Sequence, residues 1–326
     1  MNKKYNVAVV GATGLVGRTM IKILEERNFP INNIKLLASK RSVGTKINYL
    51  DNEVAVEELN DNSFENIDIA LFSAGNYVSE NFAPVAVASN CIVIDNGSFW
   101  RLKPDVPLVV PEVNPERIKE HKGIIANPNC STIQFVIPLY ALQKKFGLKR
   151  VVASTYQAIS GAGQAGLNKF HNEIQDKNTR TFSIFNNIVF HPNADTCFTN
   201  EEVKMFNETR KILSQQDLKL AITCVRLPIE NSHSISANIE LSMPANIEEV
   251  RNVLKKQSGI VVADDLANGV YPTPQMSNGR DEVFVGRIRQ DDSAENGIYL
   301  WITADNLRKG AATNAIQIAE KLINKK

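Results

Sequence analysis

The segment Asn6-Val7-Ala8-Val9-Val10-Gly11-Ala12-Thr13-Gly14-Leu15-Val16-Gly17 decides the fold. Its first five residues form an apolar, β-branched run of the kind that makes a buried strand. Three glycines follow at three-residue spacing, and Val16, Met20, Ile23 and Leu24 then recur on one face of an amphipathic helix. Strand, glycine turn and helix in this order open a Rossmann-type unit. Gly11 and Gly14 let the backbone approach a pyrophosphate, and the helix N-terminus faces its charge. Thr13, Leu15 and Val16 belong to the same turn and are expected to contact the dinucleotide with them. The spacing is GxxGxxG rather than GxGxxG, which keeps the logic of the fingerprint in a less common form.

The next strand, Asn33-Ile34-Lys35-Leu36-Leu37-Ala38, ends about 20 residues beyond the turn, where an NAD site places an acid for the ribose hydroxyls. No Asp or Glu occurs between Arg27 and Leu50. Ser39-Lys40-Arg41-Ser42 stands there instead. Two hydroxyls and two cations suit a ribose 2′-phosphate, which arginine grips through paired hydrogen bonds. Ser39, Arg41 and Ser42 therefore point to NADP rather than NAD, while Lys40 reads as a solvated loop residue.

Strands and helical stretches go on alternating. Ile67-Asp68-Ile69-Ala70-Leu71-Phe72 runs into Ser73-Ala74-Gly75, and Cys91-Ile92-Val93-Ile94-Asp95 runs into Asn96-Gly97-Ser98. In a parallel sheet such turns line the cofactor crevice, so Ser73 and Gly75 join the candidates. Arg101 follows the second turn, at the right edge to meet an anionic substrate. A single loop arginine is equally a surface residue. Pro104, Pro107, Pro111 and Pro115 are expected to break regular structure up to the next strand.

That strand, Gly123-Ile124-Ile125-Ala126, leads to Asn127-Pro128-Asn129-Cys130-Ser131-Thr132 and then to an apolar helix through Leu142. Asn129 is a natural N-cap, which puts Cys130 in the first helical turn. Unpaired N–H groups there would stabilise a thiolate. The same pattern also fits a small buried hydrophobe, the commoner fate of a free cysteine.

Past Gly147 the pattern changes. Strands are expected over residues 150–157, 221–226, 282–289 and 298–304. Ile235, Ala237, Ile239, Leu241 and Met243 alternate with polar residues, as in a strand with one buried face. Residues 160–166 read as a flexible turn, and residues 168–187 show no strong periodicity. A helix is expected from Asn200 through Ile212, and a final helix opening at Asp305-Asn306 buries Ala311, Ala315, Ala319 and Leu322. The fold class is α/β: an N-terminal doubly wound parallel sheet over residues 1–129, completed by a C-terminal helix over 306–326. Residues 130–305 form an α+β catalytic and dimerisation domain with a large, mostly antiparallel sheet. His233, in the segment Arg226-Leu227-Pro228-Ile229-Glu230-Asn231-Ser232-His233-Ser234, reads as a loop residue and as the base candidate beside Cys130. A lone loop histidine can equally be a surface group. His121 looks solvated, and His171 and His191 have no identifiable partner.

Composition excludes several function classes. The chain has 326 residues, 43% hydrophobic and 22% charged, with a net charge of +2 and no dense Lys/Arg run, so no nucleic-acid footprint is expected. No apolar run approaches the roughly 18 residues of a membrane span. The first residues run straight into a strand without a signal-peptide pattern. Four cysteines without CxxC spacing suit reduced thiols in a cytoplasmic enzyme and suggest no metal site.

Together the motifs resemble aspartate-semialdehyde dehydrogenases along nearly the whole chain. The matching blocks are residues 11–17, Val109-Val110-Pro111-Glu112-Val113-Asn114, residues 127–132, Thr155-Tyr156-Gln157 and Glu201-Glu202-Val203-Lys204. They continue through Asn207-Glu208-Thr209-Arg210-Lys211-Ile212, residues 226–233 and Asp305-Asn306-Leu307-Arg308-Lys309-Gly310-Ala311-Ala312. The resemblance implies Cys130 as nucleophile and His233 as acid/base. Gln157 would orient the covalent intermediate, Arg226 would bind the substrate carboxylate and Glu201 its amino group. Arg101 and Lys204 would hold phosphate, while Ser160, Gly161 and Gln317 would complete the NADP site. It also implies a homodimer or homotetramer formed through the second-domain sheet. The reaction would be reductive dephosphorylation of L-aspartyl phosphate to the semialdehyde, with release of inorganic phosphate, in lysine, methionine, threonine and diaminopimelate biosynthesis. Two cofactor-side turns depart from the family's expected pattern: Gly75-Asn76 stands for Gly-Gly and Asn96-Gly97-Ser98 for Asn-Ser-Ser. The rival readings are an N-acetylglutamyl-phosphate reductase, which Glu201 disfavours because it suits a free ammonium, and a non-catalytic NADPH sensor.

Overall fold

The computed structural model describes residues 3–175, 183–194 and 197–324. The chain forms two compact units, residues 1–128 with 311–326, and residues 129–310.

The first unit is built on β1 (Tyr5–Val10), whose last four residues are fully buried. It is flanked in parallel by β2 (Ile31–Ala38) and β5 (Ile69–Phe72). With β3 (Lys46–Tyr49), β4 (Asn52–Glu58), β6 (Ile92–Asp95) and β7 (Ile124–Ala126) it makes a seven-stranded sheet in the order β3-β4-β2-β1-β5-β6-β7. Only the β3–β4 pair is antiparallel. Chain connections leave β1 toward both sides, so the turns after β1 and β5 meet at a topological switch point, where α/β sheets bind ligands. Helix α1 (Leu15–Glu26) buries Met20, Ile23 and Leu24 as its periodicity requires, and Val16 packs partly buried against the same core. Helix α2 (Asn76–Ala88) connects β5 to β6. The expected proline-broken stretch contains one regular piece, a 3-10 turn at Pro115–Glu120 that proline opens rather than breaks. The C-terminal helix, Thr313–Ile323, belongs to this core through Ala315, Ile316, Ile318 and Ala319.

The second unit opens with α3 (Cys130–Phe146), longer than its apolar run indicated. Strands β8 (Leu148–Gln157), β9 (Val189–Phe190), β10 (Lys219–Arg226), β11 (His233–Leu241), β12 (Ile260–Val262), β13 (Val283–Asp291) and β14 (Gly297–Ala304) form the second sheet. Its order is β12-β13-β14-β11-β8-β10-β9. The pairing is mostly antiparallel, with β8–β10 and β12–β13 parallel. In β11 the apolar alternation holds through Leu241, but Met243 lies beyond the strand and is half exposed. Helices α4 (Gly163–Gln175), α5 (Asn200–Leu213), α6 (Ile247–Lys256) and the short α7 (Pro274–Ser277) complete the unit. The turn expected at residues 160–166 is a 3-10 segment, Ile159–Ala162, that passes into α4. Gly163 and Gly166 lower its intrinsic helix propensity, and burial of Phe170 and Glu173 offsets that. The uninformative region 168–187 thus holds most of a helix, and part of it, residues 176–182, lies outside the described residues. No helix among the described residues is long and apolar enough to cross a membrane.

Candidate active site

In the first unit the turns after β1, β2 and β5 surround a cleft of about 450 Å³. Gly11, Thr13, Gly14, Ser39, Arg41, Ser42 and Ser73 line it, and so does Lys40, which is exposed as its sequence suggested. Leu15 opens α1 and Val16 follows it, both next to this wall, while Gly75 caps α2 beside the lining residue Ala74. The backbone fits a dinucleotide cradle. Gly11 has φ +85°, and a β-carbon on it would lie 2.2 Å from the Ser73 carbonyl oxygen, so only glycine lets these two turns close together. Thr13 and Ser42 hydroxyls stand 3.5 Å apart across the cleft. Glu58, at the end of β4 and in register with Ala38, adds a carboxylate to the wall that no local sequence pattern indicated.

Gln317 and Arg101 also belong to the first unit but do not line this cleft. Gln317 donates from its amide to Glu112 at 3.0 Å. Arg101 is buried, with Nε on the Asn127 carbonyl at 2.9 Å and Nη2 on the Asn96 carbonyl at 2.8 Å. It ties the turns after β6 and β7 together, and the Asn127 amide reinforces the tie through Asn96 at 2.7 Å.

The second unit builds a cysteine site. Asn129 caps α3, its Oδ1 accepting from the N–H groups of Ser131 and Thr132 at 3.0 and 3.2 Å. The cap is itself held: Asn129 N–H donates to Glu208 at 2.6 Å and its Nδ2 to Glu201 at 2.7 Å. Cys130 therefore begins the helix as its sequence indicates, but one expectation changes. The Ser131 and Thr132 N–H groups are taken by the cap, and that of Ile133 by the Asn129 carbonyl. The thiol also has a side-chain partner: His233 Nε2 lies 3.3 Å from Sγ.

His233 is not a loop residue. It is the first residue of β11 and is fully buried, in register with Ala304 of β14. The polar segment before it hid the strand start. Its Nδ1 accepts the Ala158 backbone N–H at 2.9 Å. Burial, then the nearby Arg226 cation, holds its pKa down to about 3, so the ring is neutral.

Glu201 is the hub of the remaining polar groups. Besides Asn129, it accepts from Lys204 at 3.1 Å and from Gln157 Nε2 at 3.4 Å. Burial pushes its carboxyl up, but Lys204, His191 and the Asn129 amide outweigh that and bring it to about 2. Arg226 gives Nη1 to the Ala158 carbonyl at 2.5 Å and faces His191 Nδ1 with Nη2 at 3.4 Å. Two cofactor candidates take other places. Ser160 is buried and accepts from Asn306 at 2.9 Å, and Gly161 packs against the site, where a β-carbon would stand 3.2–3.3 Å from Arg226 and His233.

Sequence reasoning missed His191 and Glu208. His191 meets Arg226 from 35 residues away, and no local pattern encodes that. Glu208 had a signal: Glu201, Met205, Glu208 and Ile212 follow one helical face, and all four are buried. His171, unpartnered in sequence, lies 2.8 Å from Glu230 at the surface. Among the described residues no group of three or more His, Cys, Asp or Glu is arranged to hold a metal ion.

Known proteins resemble the chain along its length. Residues 6–121 match the family described as semialdehyde dehydrogenase, NAD binding domain, and residues 139–309 match its dimerisation domain. The chain is 50% identical to the aspartate-semialdehyde dehydrogenase of Aquifex aeolicus, over 98% of both proteins. It is 46% identical to that of Bacillus subtilis, over 99% of this chain and 98% of that protein. Aspartate semialdehyde dehydrogenase II from Vibrio cholerae, crystallised in complex with ASA, superposes with a TM-score of 0.95 at 40% identity, over 99% of each chain. The Candida albicans enzyme with NADP gives 0.77 at 26% identity, over 98% of each.

Proposed function

Since this chain belongs to the aspartate-semialdehyde dehydrogenase family, we propose that it interconverts L-aspartyl phosphate and L-aspartate semialdehyde through a thioester on Cys130, with NADP as cofactor. It is an oxidoreductase with a Rossmann-type nicotinamide-binding domain. The observation that carries the reading is the Cys130–His233 pair, 3.3 Å apart at a capped helix start.

In the biosynthetic direction the Cys130 thiolate attacks the acyl carbon and phosphate departs, leaving a thioester. Bound NADPH supplies the hydride that reduces it. The resulting oxyanion collapses, expels the thiolate and frees the aldehyde. Arg226 binds the substrate carboxylate. Its fork has five N–H donors, so the bonds to Ala158 and His191 leave donors for a ligand. Gln157 orients the acyl group, Glu201 meets the amino group, and Lys204 and Arg101 hold phosphate. Gly11, Thr13 and Gly14 cradle the pyrophosphate, and Ser39, Arg41 and Ser42 take the 2′-phosphate. Leu15, Val16, Ser73 and Gly75 complete the cofactor contacts of this cleft.

The enzyme works in the cytoplasm, in lysine, methionine, threonine and diaminopimelate biosynthesis. It forms a homodimer or homotetramer through the second-unit sheet. The match of residues 139–309 to the family's dimerisation domain supports this, and a groove of about 450 Å³ on that sheet, lined by Tyr271, Pro272, Leu300 and Trp301 with Arg287 and Arg289, is a surface such a contact would use.

The test is NADPH formation from aspartate semialdehyde and NADP, with and without phosphate. Turnover should require phosphate and vanish in Cys130→Ser while NADPH still binds. Turnover on the N-acetylated homologue instead, or full activity in Cys130→Ser, would overturn the assignment.

A further inference from the structure

We propose that Thr155 is a positioning residue for Gln157, holding its side-chain amide in one orientation through a one-way chain of buried hydrogen bonds. Thr155 and Gln157 stand two residues apart on β8, so their side chains lie on the same face of the sheet. Both are buried, Thr155 completely. Gln157 Nε2 stands 3.2 Å from Thr155 Oγ1 and 3.4 Å from Glu201 Oε1. Lys204 and the Asn129 amide already donate to Glu201, so its carboxylate faces Gln157 as an acceptor. An amide donates only from nitrogen. One Nε2–H therefore meets Glu201, the other meets the threonine hydroxyl, and the carbonyl Oε1 takes the opposite side.

The hydroxyl is itself held. Because it accepts from Gln157, its own hydrogen points onward to the Cys224 thiol, which sits opposite Thr155 in the parallel pairing of β10 with β8. Cys224 Sγ in turn gives its hydrogen to Met205 Sδ at 3.7 Å, and the Cys224 backbone N–H is anchored on Glu202 at 3.0 Å. Cys224 and Met205 are both fully buried. The chain runs from Gln157 through Thr155 and Cys224 to Met205. Its direction is fixed at both ends, by an amide N–H that only donates and a thioether that only accepts. Glu201 and Met205 stand one turn apart on α5, so a single helix supports both sides of the arrangement.

The consequence for the reaction rests on the thioester reading above, in which Gln157 orients the acyl group, whereas the hydrogen-bond chain stands on geometry alone. The nitrogen and oxygen ends of an amide have nearly the same shape, so packing cannot tell them apart. Hydrogen bonding does. Without the Thr155 hydroxyl one N–H of Gln157 loses its acceptor, and the amide is held by Glu201 alone, the longer of its two bonds. The acyl group then meets a less fixed side chain. Thr155 touches no substrate in this scheme and acts only through Gln157. Valine is the matching replacement, since it keeps the β-branched shape suited to a strand and removes the hydroxyl.

The experiment compares Thr155→Val and Thr155→Ser with the wild type as full-length enzymes. Side-chain amide 1H–15N spectra are recorded without ligand, with Gln157→Glu used to assign the Gln157 pair, and exchange of that pair with solvent is timed. The expected result is a protected pair in wild type and Thr155→Ser, and exchange about 10-fold faster in Thr155→Val, the loss of one hydrogen bond. An unprotected pair in wild type, or unchanged protection in Thr155→Val, would overturn the proposal. Phosphate-dependent turnover of aspartate semialdehyde is measured on the same proteins. Thr155→Val should lower kcat about 10-fold and Thr155→Ser should recover most of it. In a Gln157→Ala background Thr155→Val should cost nothing further, because a residue acting through one contact is not additive with it. An equal fall in both backgrounds marks a threonine that serves only the fold and contradicts the proposal. A failed thioester reading would appear as wild-type enzyme that does not turn over the semialdehyde, and it would leave the amide spectra unchanged.

Discussion

Gly310 lies against Cys130 so closely that a β-carbon on it would stand 3.0 Å from the cysteine Cβ and 3.3 Å from its Cα. The Cys130 thiol is thus positioned from two directions, by the Asn129 cap along the helix and by Gly310 across its first residue. Gly310→Ala forces the Cys130 backbone to shift by a few tenths of an ångström. Because roughly 1 Å of misplacement costs about 100-fold, we expect a loss in kcat of about 10-fold. Stability should fall by about 1–3 kcal/mol from overpacking. Steady-state kinetics and denaturant melts check both, and a wild-type kcat would show that Gly310 does not constrain the thiol.

Asn129 has two duties that separate by substitution. Asn129→Ala removes the cap from Ser131 and Thr132 and a donor from the buried Glu201, an expected cost of about 2–4 kcal/mol. Asn129→Asp keeps a capping oxygen but sets a second carboxylate against Glu201, so it should be destabilised although the cap survives. Urea titration of both variants decides the matter. An aspartate variant as stable as wild type would contradict the shared-hub arrangement.

The cofactor cleft makes a charge prediction. Arg41 lines it beside Ser39 and Ser42, and no acid follows β2 within that turn. Arg41→Ala should raise the KM for NADP by about 10–100-fold, the loss of one or two charge-assisted hydrogen bonds, and change the KM for NAD little. Equal effects on the two cofactors would remove the 2′-phosphate assignment.

Acid should weaken the second unit in a defined order. His233 is held to about 3 by burial and Arg226, below the ordinary 6.5 of an unfolded chain. Below pH 6.5 the unfolded chain binds the extra proton first, so stability is full above that pH and falls as pH drops toward 3. The slope approaches about 1.4 kcal/mol per pH unit for this one group. Glu201, brought to about 2 from 4.5, adds the same sign, with loss as pH falls through that lower window. Chemical denaturation at stepped pH should show wild-type stability declining from pH 6.5, and a shallower decline in His233→Asn. A flat profile between pH 6.5 and 4.5 would contradict a buried neutral ring.

Much of the first unit was legible because its signals are local. Strand, glycine turn and helix are adjacent in the chain. The second unit was harder because its site is assembled from distant strands. His233 follows a Pro/Asn/Ser-rich segment that reads as loop, yet pairing with Ala304 makes it a strand residue. The Ala158 peptide, which orients His233, carries its information in the backbone and leaves no side-chain signature. Helix α4 was hidden by Gly163 and Gly166, whose weak propensity is overridden by the burial of Phe170. Likewise Glu58 reaches the cofactor cleft only because β4 pairs with β2.

The central claim is a covalent one, and it can be weighed. The enzyme is mixed with aspartate semialdehyde and NADP without phosphate, quenched in acid, digested and read by peptide mass spectrometry. The account expects an aspartyl adduct on the peptide containing Cys130, lost on addition of phosphate and absent in Cys130→Ser. NADPH formation with no adduct on Cys130, or with an adduct at another residue, would contradict it.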